Sequence, residues 1–278
     1  MKRLIEYKNK LLFFFVILLV IFPIITVISY IFQPSTELWV HLSDNLLLEY
    51  LSNTFIILIS VAILSLIVGV SCAWLVTNFV FPGKDIFKWL LVMPIAIPTY
   101  VSAYIYAGLF EPSGMIFESI ENYFGLGKEL YEAIELRNIY GVIFILSICL
   151  YPYVYLLAYS SFKEQTYCAM EVGKSLGLKG AELFYRVNMP LARPGIIAGI
   201  SLVMMETLAE FGTMDYYGIS TFTTGIYRTW FSFGDETSAL HLSSILLTFV
   251  FVLIVIEKFS RGKSQYVNTS QKSKKIKE

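Results

Sequence analysis

The sequence has few charged residues, few histidines and few cysteines, and each shortage excludes a class of protein. Charged residues make up 15% of the 278 residues and hydrophobic ones 56%. In a soluble domain roughly a quarter of the residues are charged. The mean hydropathy of +0.67 is also too high for an ordinary soluble domain. Because 21 basic residues are balanced by 21 acidic ones, no overall basic surface indicates a nucleic-acid partner. The composition therefore indicates a membrane protein.

Patterns that bind metals or catalyse reactions are also scarce. The three cysteines, Cys72, Cys149 and Cys168, are an odd number without metal-ligand spacing, so they predict neither a disulfide framework nor a zinc site. The histidines, His41 and His241, stand alone and are interpreted as surface residues near a membrane boundary. The chain contains no G-x-x-x-x-G-K-[ST] phosphate loop. We therefore expect a protein that is not an enzyme, binds no cofactor itself and has no assigned metal site.

Long apolar runs dominate the chain, and a helix needs about 20 such residues to cross a bilayer. The six runs are Leu11 to Phe32, Asn53 to Phe79, Phe87 to Phe110, Ile139 to Phe162, Pro194 to about Asp215, and Leu242 to Phe259. The first is too long for a signal peptide and ends without a small-x-small cleavage pattern, so we expect it to remain as an anchor. The runs predict an all-α polytopic membrane protein with six transmembrane helices. They form one domain over residues 1–260, and a polar basic tail follows over 261–278.

The basic residues are concentrated in alternate loops. All but three of the 21, namely Lys128, Arg137 and Arg228, fall on one side of the predicted membrane. Lys and Arg accumulate on the cytoplasmic side of membrane proteins. Both termini, and the long loop between the fourth and fifth helices, are therefore predicted to be cytoplasmic.

That long loop runs from Lys163 to Arg193 and reads KEQTYCAMEVGKSLGLKGAELFYRVNMPLAR. Its pattern predicts a helix that ends at Gly177, a glycine suited to a left-handed C-terminal cap. A second short helix is predicted from about Lys179 to Val187, and Pro190 is expected to interrupt the chain. Pattern alone leaves open a plain solvated connector.

A spaced motif in this loop changes that balance. It consists of Glu171-Val172-Gly173, then Gly177 after three residues, then Val187-Asn188-Met189-Pro190 after nine more. This pattern resembles the EAA signature of ABC importer permeases, E-A-A-x3-G-x9-I-x-L-P. The spacing matches throughout, and the four departures are small or apolar replacements. The chain is thus similar to the permease subunits of binding-protein-dependent ABC importers.

In that family the loop forms coupling helices that seat in a groove of the ATPase subunit. The resemblance implies that Glu171 meets a basic group of the ATPase, that Gly177 allows a sharp turn, and that apolar side chains fill the groove. The coupling residues carried over by position are Glu171, Gly173, Gly177, Leu183, Phe184 and Pro190, with Leu176 among the groove-filling side chains. The family also implies the type I importer permease fold in a bacterial or archaeal cytoplasmic membrane. Its partners would be lipid, an ATPase dimer that uses ATP, an extracytoplasmic binding protein and a second permease half.

Acidic residues occur near the end of the fifth run. Glu206 and Glu210 are four residues apart and are expected to share one helical face, with Asp215 about a turn beyond. Charges at membrane depth usually face a cavity or a partner, so these three are candidate residues of a translocation path. Pairing within the bundle or with the other permease half accounts for them equally well. We predict a polar pathway or gate and not a tight metal site, because tight coordination would impede release.

The stretch METLAEFGTMDYYGISTFTTGIYRTWF, residues 205–231, narrows the resemblance to the N-terminal half of ferric iron permeases. The cargo implied is ferric iron or a small ferric complex, with thiamine, a polyamine or an inorganic anion as alternatives for the same machine. Members of the iron group are commonly one chain with two six-helix halves. This chain has one set of six predicted helices, so it could be a split half, a truncated product or a half that pairs with itself, and these three interpretations remain open.

Two rival functions come from other classes. An ion-coupled secondary transporter would use Glu206 and Glu210 as proton or sodium sites, and a membrane scaffold would transport nothing. The loop at residues 163–193 favours the importer, because a secondary transporter has no use for ATPase-docking helices. Tyrosines line one face of the fourth helix, and we interpret them as packing residues rather than iron ligands. They are Tyr151, Tyr155 and Tyr159.

Gly195 and Gly199, at the start of the fifth run, form a small-xxx-small pair. Such pairs let helix backbones approach closely in membranes. They predict tight packing of the fifth helix against a neighbour.

Overall fold

The computed structural model describes residues 2–111, 114–125, 137–164, 173 and 175–261. Within these residues every regular element is a helix, which confirms the all-α class. The α-helices are α1 (Lys2–Ser29), α2 (Glu37–Asn45), α3 (Leu47–Asn78), α4 (Lys84–Leu90), α5 (Thr99–Phe110), α6 (Met115–Phe124), α7 (Ile139–Glu164), α8 (Gly180–Leu183), α9 (Met189–Ala209), α10 (Gly212–Tyr216), α11 (Phe222–Tyr227) and α12 (Glu236–Arg261). Short 3₁₀ turns cover Tyr30–Phe32 and Met93–Ala96, and π-helical turns cover Phe184–Asn188 and Arg228–Ser232.

Five helices are long and apolar enough to cross a bilayer without interruption. They are Lys10–Phe32, Leu47–Asn78, Ile139–Lys163, Phe184–Ala209 and Glu236–Ser260. The sixth span is a broken pair, Lys84–Ala96 and Thr99–Phe110, whose two parts are bent by 96°. Pro98 causes the break, because the residue before a proline avoids the helical conformation, and Ile97 is extended with ψ 123°. Five continuous spans agree with the prediction, and the number reaches the predicted six when the broken pair is counted as one discontinuous third span.

The fifth span differs from its predicted bounds at both ends. The span begins with the π-helical turn Phe184–Asn188, and its α-helix, α9, begins at Met189 with Pro190 in the first turn, where the missing N–H costs nothing. The predicted interruption at Pro190 is therefore wrong, and the π-helical turn before it runs directly into α9. At the other end the helix stops at Ala209, and Glu210 turns away with ψ 124°.

One compact unit comprises residues 53–219 and 250–278. Its core is formed largely by α7, whose side chains Val142, Ile145 and Val154 are fully buried. Glycines of α3 and α9 press against α7: a Cβ added at Gly69 would lie 2.8 Å from Val154 Cβ, and one at Gly199 2.7 Å from Val154 Cα. The close approach predicted for α9 at Gly199 is thus confirmed.

The other compact unit comprises residues 1–52 and 220–249. Its core contains Leu42, Tyr50, Phe222 and Leu242, all nearly inaccessible to solvent. The prediction of a single domain over 1–260 stays a prediction. The predicted tail, 261–278, lies outside the described residues beyond its first position.

The starts of α2 and α12 are joined through one carboxylate in this second unit. Thr36 Oγ1 accepts from Trp39 N at 3.1 Å, which caps α2, and donates to Asp235 Oδ2 at 2.6 Å. Asp235 Oδ1 accepts from Ser238 N at 3.0 Å in the first turn of α12. Burial alone would raise the pKa of the Asp235 carboxyl, but hydrogen bonds from Thr36 and Ser238 outweigh it and lower that pKa below its ordinary value.

Replacing Asp235 by alanine should destabilise the protein by about 1–2 kcal/mol at pH 7, because α12 loses its N-terminal cap and the Thr36 hydroxyl that caps α2 loses its acceptor. A lowered folded-state pKa stabilises the protein above the unfolded-state pKa, and this contribution is lost as the pH falls through the folded-state value. The gap between wild type and variant should therefore be full above about pH 5 and shrink below about pH 4. Thermal unfolding in detergent micelles at several pH values measures it. Asp44→Ala, at an exposed position of α2, is the control. A difference in stability between wild type and Asp235→Ala that does not change with pH would contradict the prediction.

Candidate functional site

A cavity of 210 Å³ lies where the third span is broken. Its lining comes from the segment around Pro98, from α7 and from the end of α9, and includes Thr99, Tyr153, Glu206 and Glu210. Irregular backbone at membrane depth is tolerated where it lines a cavity, and interrupted helices are how many transporters build their substrate sites. Two helix ends, the start of α5 and the end of α9, therefore meet at one cavity.

Glu210 joins these two helix ends. Its Oε2 accepts a hydrogen bond from Thr99 Oγ1 at 2.6 Å, and its Oε1 accepts one from Thr213 N at 2.8 Å. Thr99 is the first residue of α5, and Thr213 lies in the first turn of α10. A carboxylate at two helix N-termini is electrostatically favourable, because the amide dipoles leave positive charge there.

Glu206 occupies the same cavity but is held differently. Its side chain is exposed, and Oε1 accepts a hydrogen bond from Tyr153 Oη at 3.3 Å. The predicted helical face shared by Glu206 and Glu210 is wrong in its backbone geometry, since Glu210 lies beyond the end of α9. Both side chains nevertheless reach the cavity.

Asp215 lies outside the cavity lining, exposed on α10. The segment that carries it packs along α5, since a Cβ at Gly212 would lie 2.9 Å from Tyr100 Cβ and Tyr217 Oη donates to Ala103 O at 3.4 Å. The three predicted acids therefore do not form one constellation, and only two of them meet.

Tyr153, like Thr99, is a polar lining residue that the sequence did not single out. The neighbouring candidates Tyr151 and Tyr155 are 8% and 1% exposed in the core, in agreement with their interpretation as packing residues. Tyr155 instead donates a hydrogen bond to Lys88 O at 3.2 Å. No sequence signal identifies Tyr153, because its role depends on which face of α7 meets α9.

In the loop between α7 and α9, Glu171 lies outside the described residues. Gly177 has a φ of +86°, the left-handed conformation predicted for it. Leu178 N donates to Gly173 O at 3.1 Å, the bond that closes a Schellman turn after a helix. A side chain at Gly173 would displace Leu183, since a Cβ there would lie 2.7 Å from Leu183 Cδ1.

Leu183 and Phe184 pack against other parts of their own chain, and their predicted contact with an ATPase stays a prediction. Leu183 is 8% exposed. The Phe184 ring centroid lies 5.0 Å from that of Trp74 on α3 and 6.4 Å from that of Phe162 on α7. Leu183 is thus buried within its own chain, whereas Phe184 is half-buried and packs against α3 and α7.

Other apolar side chains of the loop do face outward. Leu176 is 75% exposed, next to the Gly177 turn, and Tyr185 is 67% exposed on the π-helical turn. Pro190 is also exposed, in the first turn of α9. Two of the residues named from the sequence motif, Leu176 and Pro190, therefore lie on the outward surface, and Tyr185 is an addition to them.

Residues 65–260 match the family described as "Binding-protein-dependent transport system inner membrane component". Among similar proteins, the Fe(3+)-transport system permease protein FbpB 2 of Haemophilus influenzae is 28% identical over 253 residues, which cover 89% of this chain and 45% of that protein. This chain therefore spans less than half the length of that relative. The molybdenum transport system permease protein ModB of Escherichia coli is 25% identical over 207 residues, covering 72% of this chain and 87% of that protein.

The sulfate transport system permease protein CysT of Escherichia coli is 22% identical over 201 residues, covering 72% and 70% of the two chains. A solved structure of a bacterial alginate ABC transporter, in complex with a periplasmic protein bound to an alginate pentasaccharide, superposes with a TM-score of 0.72. It is 15% identical and covers 96% of each chain, so the likeness concerns the fold.

Proposed function

The chain belongs to the family of binding-protein-dependent transport system inner membrane components, and we propose that within it the chain imports a cation, ferric iron or a small ferric complex. Members of this family are permease subunits of ABC importers, so the chain is a multi-pass membrane transport component and not an enzyme. ATP hydrolysis belongs to a separate ATPase dimer in this proposal, and an extracytoplasmic binding protein delivers the cargo.

The charge of the cavity carries the choice of cargo. Its lining, drawn from the described part of the chain, has the carboxylates of Glu206 and Glu210 and no lysine, arginine or histidine. Two unit charges about 4 Å apart interact by about 4 kcal/mol at an effective dielectric constant of about 20. Sulfate and molybdate, which are anions, would be repelled there, whereas a cation would be attracted. Among the cargoes named for the relatives, ferric iron is the one that fits.

The path is proposed to run past this cavity at the interface with a second permease half. Glu206 is exposed in this single chain, and an exposed charge at membrane depth calls for a partner or a cavity. A second half, either another copy or a separate chain, would enclose the site. Asp215 has no place in the proposed path, because it lies outside the cavity lining.

In the proposed mechanism, closure of the ATPase dimer drives alternating access of the permease. Both termini and residues 163–193 are placed in the cytoplasm by the distribution of basic residues. Glu171, Leu176 and Tyr185 would contact the ATPase, while Gly177 shapes the turn. Leu183 and Phe184 would hold the turn against α3 and α7, and the π-helical turn continues into α9. Closure of the ATPase dimer would then move three spans together as a rigid body.

Cargo is tested by uptake in a strain that lacks the chain. We expect the uptake of radioactive ferric iron to fall at least tenfold and to return when the intact chain is expressed. Sulfate and molybdate uptake, measured in parallel, should not change. Unchanged iron uptake with a loss of sulfate or molybdate uptake would make the iron assignment wrong, and normal uptake of every solute would favour a scaffold.

A further inference from the structure

The two glutamates of the cavity differ in how much of their hydrogen-bonding capacity the protein uses. Glu210 accepts at both oxygens, from Thr99 Oγ1 at 2.6 Å and from Thr213 N at 2.8 Å. These bonds are short, and one of them involves backbone. Any cargo that took these oxygens would have to detach the first turns of α5 and α10, so Glu210 is suited to hold helices and not to exchange ligands.

Glu206 keeps most of its hydrogen-bond-accepting capacity available to other groups. Within the part of the chain that the structure describes, it accepts one hydrogen bond, from Tyr153 Oη at 3.3 Å, and its side chain is exposed at the cavity. A carboxylate has about four acceptor positions, so this single long bond leaves the others open to cargo. Its partner, Tyr153, is anchored on α7, which is the most buried of the continuous spans.

The spacing of the two oxygens suits a hard cation. Neighbouring ligand oxygens around an octahedral cation with bonds of about 2.0–2.1 Å lie about 2.9 Å apart. Tyr153 Oη and Glu206 Oε1 are 3.3 Å apart, so a few tenths of an ångström bring them to this separation. The Tyr153 phenol can keep donating its hydrogen bond to Glu206 and still offer the lone pairs of its oxygen to the cargo or to the water around the cargo.

We propose that Tyr153 and Glu206 form the pair that contacts the cargo, whereas Glu210 is a structural tie between α5 and α10. This assignment rests on the proposed function, because it takes the cargo to be a cation. One carboxylate and one neutral phenol make a weak site, as a transport path requires, since a path must release its cargo. Tyr153 would thus be a determinant of cargo specificity.

The test compares variants in the assembled transporter, expressed from the full chain in the strain that lacks it. Glu206→Gln keeps the shape of the side chain but removes its charge, while Glu206→Asp keeps the charge in a shorter side chain. We expect ferric iron uptake to fall about tenfold in Glu206→Gln, to reach at least half of the wild-type rate in Glu206→Asp, and to fall about threefold in Tyr153→Phe. Asp215→Asn, an exposed acid outside the cavity, should stay within about twofold of wild type. Uptake is divided by the amount of permease in the membrane.

The ranking of the two Glu206 variants separates cargo contact from a structural role. If Glu206 served only as a hydrogen-bond acceptor for Tyr153, Gln would do as well as Asp or better, and that result would overturn the assignment. Wild-type uptake in Tyr153→Phe would overturn the part given to the phenol. If Glu206→Gln fails to accumulate in the membrane, the uptake rates of Glu206→Asp and Tyr153→Phe relative to wild type decide whether the pair contacts the cargo. A wild-type chain that restores sulfate or molybdate uptake and not iron uptake overturns the proposed function itself.

Discussion

Replacing Gly199 by leucine should reduce the amount of folded protein in the membrane to less than a tenth of the wild-type level. A Cβ at this position would lie 2.7 Å from Val154 Cα and 3.2 Å from Tyr153 O, both backbone atoms of α7. Backbone cannot give way as a flexible side chain does, so α7 and α9 would have to separate. Overpacking a well-packed core costs about 1–3 kcal/mol or more, a large share of a total stability of about 5–15 kcal/mol.

The matched control is Gly108→Leu. Gly108 also lies within a helix, α5, but a Cβ there meets no atom within 4 Å in the part of the chain that the structure describes. Membrane content by immunoblot and thermal unfolding in detergent measure both variants, and the Gly108 variant should remain close to wild type. Equal losses in the two variants would show that a bulkier side chain harms the protein for reasons unrelated to the contact with α7.

Replacing Gly177 by proline should reduce association with the ATPase at least tenfold without lowering the amount of permease in the membrane. Gly177 has a φ of +86°, whereas the proline ring holds φ near about −65°, so the turn cannot form. The turn is exposed, and among the residues that the structure describes it is closed by the bond from Leu178 N to Gly173 O. Its loss should therefore spare the core. Copurification of the ATPase through a tag on the permease measures the effect.

Asparagine at the same position provides the control, because asparagine tolerates the left-handed conformation better than other residues with a side chain. Gly177→Asn should keep more than half of the ATPase association. Glu171→Arg tests the predicted acidic contact in the same assay. Unaltered association in both Gly177→Pro and Glu171→Arg would make the docking assignment wrong, even if iron uptake had already confirmed the cargo.

The importance of the Gly177 turn also bears on the rival function. An ion-coupled secondary transporter would carry out uptake without an ATPase, so Gly177→Pro would leave its transport rate unchanged. The importer predicts that transport falls together with ATPase association. Measuring both quantities in one variant therefore distinguishes the two classes.

The sequence by itself determined the membrane class, the location of the apolar spans and the position of the turn at Gly177. Each of these depends on local properties. A span needs only a run of apolar residues of bilayer length, and the left-handed turn at Gly177 needs only a residue without a side chain. The EAA-like spacing from Glu171 to Pro190 is likewise a one-dimensional pattern. These predictions agree with the spans and with the conformation of Gly177 that the structure shows.

Only the tertiary structure decided which side chains meet. Tyr153 and not its neighbours Tyr151 or Tyr155 faces Glu206, because the packing of α7 against α9 selects one face of each helix. Phe184 lies inward because Trp74 and Phe162, distant in sequence, pack against it. Glu210 leaves the helix that periodicity predicted for it and binds both Thr99 and Thr213. Such contacts depend on how helices pack in three dimensions, and the order of residues along the chain does not contain that geometry in a form that local patterns can express.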